Sequence, residues 1–165
     1  LDTPRPRVAL LPSSRWPSKN WPARCFAAVG RRLQQVRKAS IYLVGGKDGM
    51  GECGEIEREM EGKVTNLAGR TSLPELGWVL KEMDLVVAND TGPIHMAAAV
   101  GTPTLVVFGP TDPLRTGPYG QGHRIARASL PCQPCFSRIC RQEGTPCLAG
   151  VTPEHVGELA LEMLR

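Results

Sequence analysis

Four short apolar runs, Val8–Leu11, Ile41–Val44, Leu85–Ala88 and Thr104–Phe108, recur along the chain, separated by amphipathic stretches of helical spacing. Such runs lack the in–out alternation of a strand with one wet face, so each predicts a strand covered on both sides. Strands alternating with helices over short connections leave few folds open. The pattern predicts a mostly parallel sheet with helices on both faces, a Rossmann-like doubly wound α/β domain. A helix is expected over 22–36, with Cys25, Phe26, Val29, Leu33 and Val36 on one face. An acidic helix is expected over 55–61, a weaker strand over 64–67 and a sixth strand over 123–127. Ser72-Leu73-Pro74-Glu75 is a capping box with Pro in the first turn, so a helix starts there, its buried stripe Leu73, Leu76, Val79, Leu80 and Met83. Another runs from about Thr91 to Gly101. The last, capped by Thr152-Pro153, is expected to bury Val156, Leu159, Ala160, Met163 and Leu164.

At 165 residues the chain suits one domain, residues 1–165, with one sizeable core. No apolar run approaches the roughly 20 residues of a membrane span, and no secretory leader is evident. Those features lead to the expectation of a reducing, cytoplasmic setting. The chain opens at Leu1, and residues 1–6 read as a linker, so a partner domain is expected upstream of it. The net charge of +4 is modest, and Lys and Arg are scattered. Without a basic stripe interleaved with aromatics, nucleic acid is not the expected partner. A phosphorylated small molecule or an anionic membrane surface suits the charge better.

In a doubly wound sheet, ligands bind beyond the carboxyl ends of the strands, and each polar cluster of this chain follows a strand. The most informative is Asn89-Asp90-Thr91-Gly92-Pro93-Ile94-His95. Unpaired N–H groups at a helix start attract an anion, and Gly92 lets a phosphate approach the backbone closely. His95 adds a donor in the first turn. A carboxylate beside a phosphate repels it, so Asp90 fits sugar hydroxyls better. The plainer alternative is that Asp90 or Thr91 merely caps a helix and His95 is a surface residue. After the first strand come Ser13, Ser14 and Lys19, two hydroxyls and a mobile cation suited to a diphosphate. Trp21-Pro22 reads as the hydrophobic start of the next helix. Gly45-Gly46-Lys47-Asp48 follows the second strand, where an acidic residue grips ribose hydroxyls in such folds, or where a plain turn suffices. Phe108-Gly109-Pro110-Thr111-Asp112-Pro113 makes a rigid turn, with Thr111 or Asp112 free to touch ligand or to serve the turn alone.

Cys25 and Cys53 read as ordinary thiols. The other four, Cys132, Cys135, Cys140 and Cys147, lie in an irregular Cys-rich segment, 129–151. Four thiolates can bind a structural zinc, but the spacing lacks paired knuckles. Free thiols, two disulfides and an iron–sulfur centre remain open beside it.

Taken in order, Ser-Lys-Asn-Trp-Pro, Asn-Asp-Thr-Gly-Pro-Ile-His-Met-Ala-Ala and Phe-Gly-Pro-Thr-Asp-Pro closely resemble the ninth family of glycosyltransferases, which includes the lipopolysaccharide heptosyltransferases. The likeness covers about residues 7–165. It implies a GT-B enzyme of two facing Rossmann-like halves, of which this chain resembles the C-terminal, donor-binding half. The implied donor is a nucleotide sugar, typically ADP-heptose. The implied acceptor is a lipid-linked saccharide of the lipopolysaccharide core, reached in the cytoplasm or at the inner membrane. By motif, Lys19 and Ser13 or Ser14 would meet the diphosphate, Thr91 and Gly92 the phosphate, Asp90 the sugar, His95 the phosphate surroundings and Asp48 the ribose. The family's chemistry is an inverting displacement without metal or other cofactor, its general base on the N-terminal half. This chain would then bind donor without transferring it. Alternatives are half of a nucleotide-sugar epimerase and a non-catalytic nucleotide-sugar-binding module.

Overall fold

The computed structural model describes all 165 residues, Leu1–Arg165. Six parallel strands form one sheet: β1 (Arg7–Leu11), β2 (Ser40–Leu43), β3 (Thr65–Asn66), β4 (Leu85–Asn89), β5 (Thr104–Phe108) and β6 (Arg124–Arg127). Their order is β3-β2-β1-β4-β5-β6. Seven helices accompany them: α1 (Ala23–Arg37), α2 (Met50–Glu59), α3 (Leu73–Lys81), α4 (Pro93–Ala99), α5 (Pro113–Thr116), α6 (Pro146–Ala149) and α7 (Pro153–Met163). Leu10 of β1 lies opposite Leu43 of β2 on one side and Val87 of β4 on the other. The winding reverses between β1 and β4, and a crevice opens above their carboxyl ends, as the topology requires.

Successive side chains of a strand point to opposite faces, and here both faces are covered. Val8, Leu10, Leu85, Val87, Leu105 and Val107 belong to a core shared with α1, α2 and α7. Ala9, Leu11, Val86, Ala88, Val106 and Phe108 join the core under α3 and α4. The doubly wound expectation is met in full.

Several local expectations are corrected. Leu73 is 71% exposed, not part of the buried stripe. It opens α3, and side chains of a helix lean toward its N-terminus, so Leu73 projects toward the rim and away from the sheet. Val36 is 58% exposed because it sits at the margin of the buried arc defined by Phe26, Val29, Gly30 and Leu33. The acidic helix runs earlier than expected, Met50–Glu59, and stops where Glu61 and Gly62 take left-handed backbone angles. Thr91 and Gly92 precede the regular turns of α4, which begin at Pro93. Leu159, Met163 and Leu164 are only partly buried, packed at the edge of the core.

Capping at α3 and α7 agrees with the sequence. Glu75 reaches back to the Ser72 N–H at 2.7 Å, and Thr152 accepts from the His155 N–H at 3.3 Å. Residues 1–6, expected as linker, form no strand or helix. They are nonetheless tied to the sheet base: Ser40 donates to the Pro4 carbonyl, Arg5 pairs with Asp84, and Thr3 bonds Tyr42.

Candidate functional site

The crevice between β1 and β4 holds a cavity of about 580 Å³. Asn89, the last residue of β4, is fully buried next to the cavity's lining. Its amide donates to the Pro12 carbonyl at 2.6 Å and accepts from the Trp21 N–H at 3.2 Å. One side chain thereby stitches the end of β4 to both flanks of the loop that follows β1. Trp21 is 2% exposed, meets Phe26 edge-on at 5.1 Å, and donates its indole N–H to the Val151 carbonyl. It is the hydrophobic start of α1 that the sequence predicts.

Asp90 follows Asn89 and is 4% exposed. Its Oδ2 pairs with the Lys19 ammonium at 2.7 Å and accepts from the Thr111 hydroxyl at 2.6 Å. Thr116, 3.3 Å away, donates to the same oxygen or to the Asp112 carbonyl at equal distance. Oδ1 makes no hydrogen bond within the protein, and Asp90 lines the cavity. Lys19 also lies over the Trp16 ring, 4.6 Å from its centroid. The ammonium is thus held between a carboxylate and an aromatic face at the cavity wall.

Of the residues singled out in the sequence, Ser13, Ser14, Lys19 and Asp48 line this cavity from the β1 and β2 side. Asp90, Thr91 and Gly92 line it from the β4 side. No hydrogen bond within the protein uses the backbone N–H of Thr91 or Gly92. A Cβ on Gly92 would meet nothing within 4 Å, so that backbone stands open to a ligand. At Gly49, by contrast, a Cβ would fall 2.2 Å from Ser13 Oγ; this glycine is what lets the Ser13 hydroxyl close the cavity's edge. The structure does not bring His95 into the group. It is exposed on α4 and does not line the cavity.

Two residues escaped the sequence reading in their actual role. Thr111, left open between turn and ligand, is buried behind Asp90, and Thr116 joins it. Asp112 instead caps α5, accepting from the Leu114 N–H at 3.0 Å. Pairing across 21 residues of sequence has no signal in local spacing; the carboxylate sharing a rim with the next strand's turn was the available hint.

All six cysteines are free thiols, and nowhere are three or more His, Cys, Asp or Glu arranged to hold a metal ion. Cys132, Cys135, Cys140 and Cys147 border one small cavity, with Cys147 buried and Cys132 and Cys135 exposed. Burial, then the neighbouring thiols Cys140, Cys132 and Cys135, push the Cys147 thiol above its ordinary range. Burial pushes Cys53 up to about 12. Neither is a reactive thiolate at neutral pH.

A parallel sheet in 3-2-1-4-5-6 order, with a cation, a carboxylate and unused backbone N–H groups at the switch point, defines a Rossmann-like α/β domain. The sequence model of glycosyltransferase family 9 (heptosyltransferase) matches residues 1–145, and the chain belongs to that family. It is 31% identical to lipooligosaccharide heptosyltransferase 2 of Campylobacter jejuni over 152 residues, which are 90% of this chain and 47% of that protein. It is 33% identical to lipopolysaccharide heptosyltransferase 1 of Pseudomonas aeruginosa, covering 87% and 40%. In structure it resembles the ADP-heptose lipopolysaccharide heptosyltransferase II of E. coli, with a TM-score of 0.81 and 26% identity over 99% of this chain and 48% of that one. It also resembles the E. coli heptosyltransferase WaaC solved with ADP, with a TM-score of 0.73 and 27% identity over 96% and 44%. The chain spans about half the length of the relatives it matches.

Proposed function

We propose that this chain is the C-terminal, donor-binding half of a heptosyltransferase of lipopolysaccharide core synthesis, acting in the cytoplasm or at the inner membrane. The observation that carries this reading is the Lys19–Asp90 pair in the crevice, beside the unused N–H groups of Thr91 and Gly92. Lys19 supplies positive charge to a diphosphate, and the two N–H groups add donors. The free Oδ1 of Asp90 accepts from a sugar hydroxyl. Asp48, at the end of β2, is placed for ribose hydroxyls, and Ser13 and Ser14 border the diphosphate. The WaaC structure with ADP supports an adenine nucleotide, and the E. coli heptosyltransferase II named for ADP-heptose supports that sugar.

In the inverting, metal-independent displacement we assign, an acceptor hydroxyl oxygen attacks the anomeric carbon. The bond from that carbon to the diphosphate oxygen breaks, and its electron pair leaves with the nucleoside diphosphate. The hydroxyl proton passes to a base on the N-terminal half, which also presents the lipid-linked acceptor. This chain's contribution is charge stabilisation on the leaving group, preorganised by Lys19 and the backbone N–H groups. The 165-residue chain alone is therefore expected to bind donor and not to transfer heptose.

Calorimetry with ADP, UDP and GDP and their sugars tests the reading. ADP and ADP-heptose are expected to bind well above inorganic phosphate. If no nucleotide binds better than phosphate, the donor-domain assignment fails; heptose transfer by this chain alone would refute the division of labour between the halves.

A further inference from the structure

Resting on the donor-binding reading, we infer that Thr111 is a positioning residue: by fixing the Asp90 carboxylate it sets where the Lys19 ammonium meets a diphosphate. Thr111 is 2% exposed and donates its hydroxyl proton to Asp90 Oδ2 at 2.6 Å. A carboxylate only accepts, so the direction of this bond is unambiguous. Lys19 pairs with the same oxygen at 2.7 Å, so the hydroxyl and the ammonium are registered on one atom. A short bond to a charged, buried group confines the carboxylate, and a confined carboxylate confines the long lysine side chain.

Thr111 is itself held from outside the crevice. The preceding Pro110 carbonyl accepts from the N–H groups of Cys135 and Phe136 at 3.0 and 2.9 Å. The Gly109 carbonyl accepts from the Gln133 amide at 2.7 Å. A Cβ on Gly109 would fall 2.9 Å from the Leu148 side chain, so the turn packs tightly against the Cys-rich segment. That same segment grips the other partner of the pair. Ser18, next to Lys19, donates its hydroxyl to the Ser137 carbonyl at 2.6 Å and its N–H to the Arg138 carbonyl at 3.3 Å. The Cys-rich segment therefore braces both the Lys19 loop and the Thr111 turn, and the Lys19–Asp90–Thr111 line spans the gap between them. This gives the segment a use that needs neither a metal nor a disulfide: its backbone groups and the Gln133 side-chain amide hold the cation in place.

The test is Thr111→Val, close in shape but without the hydroxyl, with Thr111→Ser as the conservative rescue. Thr111→Val is expected to weaken ADP about tenfold, the scale of one hydrogen bond to a charged group, and to leave adenosine binding unchanged. Thr111→Ser is expected to restore ADP affinity. In a Lys19→Ala background, Thr111→Val is expected to change ADP affinity less than about twofold, because residues acting through one another are not additive. A readout without nucleotide is the rate at which Lys19 is acylated, followed by peptide mass spectrometry in the ligand-free chain. Thr111→Val is expected to raise it several-fold while Lys47 is unaffected. Equal losses for ADP and adenosine, an undiminished loss in the Lys19→Ala background, or Lys19 acylation that is unchanged or slower each overturn the inference. If Thr111→Val does not fold, Thr111→Ala takes its place in the same measurements. Wild-type chain that ignores ADP would sink the donor reading alone, since the acylation rates still judge the Thr111–Asp90–Lys19 linkage.

Discussion

The crevice between β1 and β4 and the Cys-rich segment 129–151 are both irregular and rich in residues that attract functional readings, yet they are built in opposite ways. At the crevice two polar side chains are buried and engaged: Asn89 on two backbone groups, Asp90 on Lys19 and Thr111. In the Cys-rich segment the conspicuous side chains face outward, with Cys132 and Cys135 exposed and Ile139 72% exposed. Its contacts to the crevice loops come from main-chain atoms, the Gln133 side-chain amide and the buried anchor Leu148. A buried polar group is costly unless it is paired, and Asn89 and Asp90 each find partners across the crevice. The conspicuous cysteines mark a brace.

The largest effect that tests this contrast is Asn89→Ala. It strands the Pro12 carbonyl and the Trp21 N–H, and a destabilisation of about 2–4 kcal/mol is expected in urea denaturation. A loss under about 0.5 kcal/mol would mean that Asn89 is not what holds the loop after β1 to β4. Next comes Lys19→Ala, expected to weaken ADP by ten- to a hundredfold in calorimetry, the range for losing a charge-assisted contact. Asp90→Ala sharpens the division within the crevice: ADP is expected to weaken about tenfold, as in Thr111→Val, because Lys19 loses the carboxylate that registers it, and ADP-heptose is expected to weaken further because a sugar contact is lost as well. Equal losses for ADP and ADP-heptose would remove the sugar role from Asp90.

Smaller effects are expected outside the crevice. Cys132→Ser and Cys135→Ser, at exposed positions, are expected to change stability by less than about 0.5 kcal/mol. The buried Cys53 gives a pH dependence of definite sign. Its thiol is raised from 9.0 to about 12 in the fold, so the unfolded chain loses its proton first. Stability is therefore lost as pH rises from about 9 toward about 12. Unfolding measured across that window in Cys53→Ala is expected to show a shallower decline than in the wild-type chain; an identical slope would remove Cys53 as its source.

Much of this was legible in one dimension. Both-sided burial of the strands follows from unbroken apolar runs, and α3 and α7 begin where their caps predict. Seven of the eight positions singled out for a ligand line one cavity, because each follows a strand and the parallel sheet delivers all such loops to the same rim. The exception, His95, shows the limit of that logic. Presence in the first turn of a helix says nothing of which side of the helix a residue takes. Leu73 was misjudged for a related reason: stripe periodicity ignores how side chains lean at a helix start.

The sequence by itself determined the alternation of elements, the rim on which the polar loops gather and the family, because these depend on local periodicity and on motifs read in order. Only the tertiary structure decided that Asp90 spends one oxygen on Lys19 and Thr111 and keeps the other free, and that the Cys-rich segment grips both sides of that pair. Those facts rest on hydrogen bonds between residues 21 to 120 positions apart, the longest from Ser18 to Arg138. No local pattern encodes such a bond; it exists only once the sheet has set β1, β4 and β5 side by side.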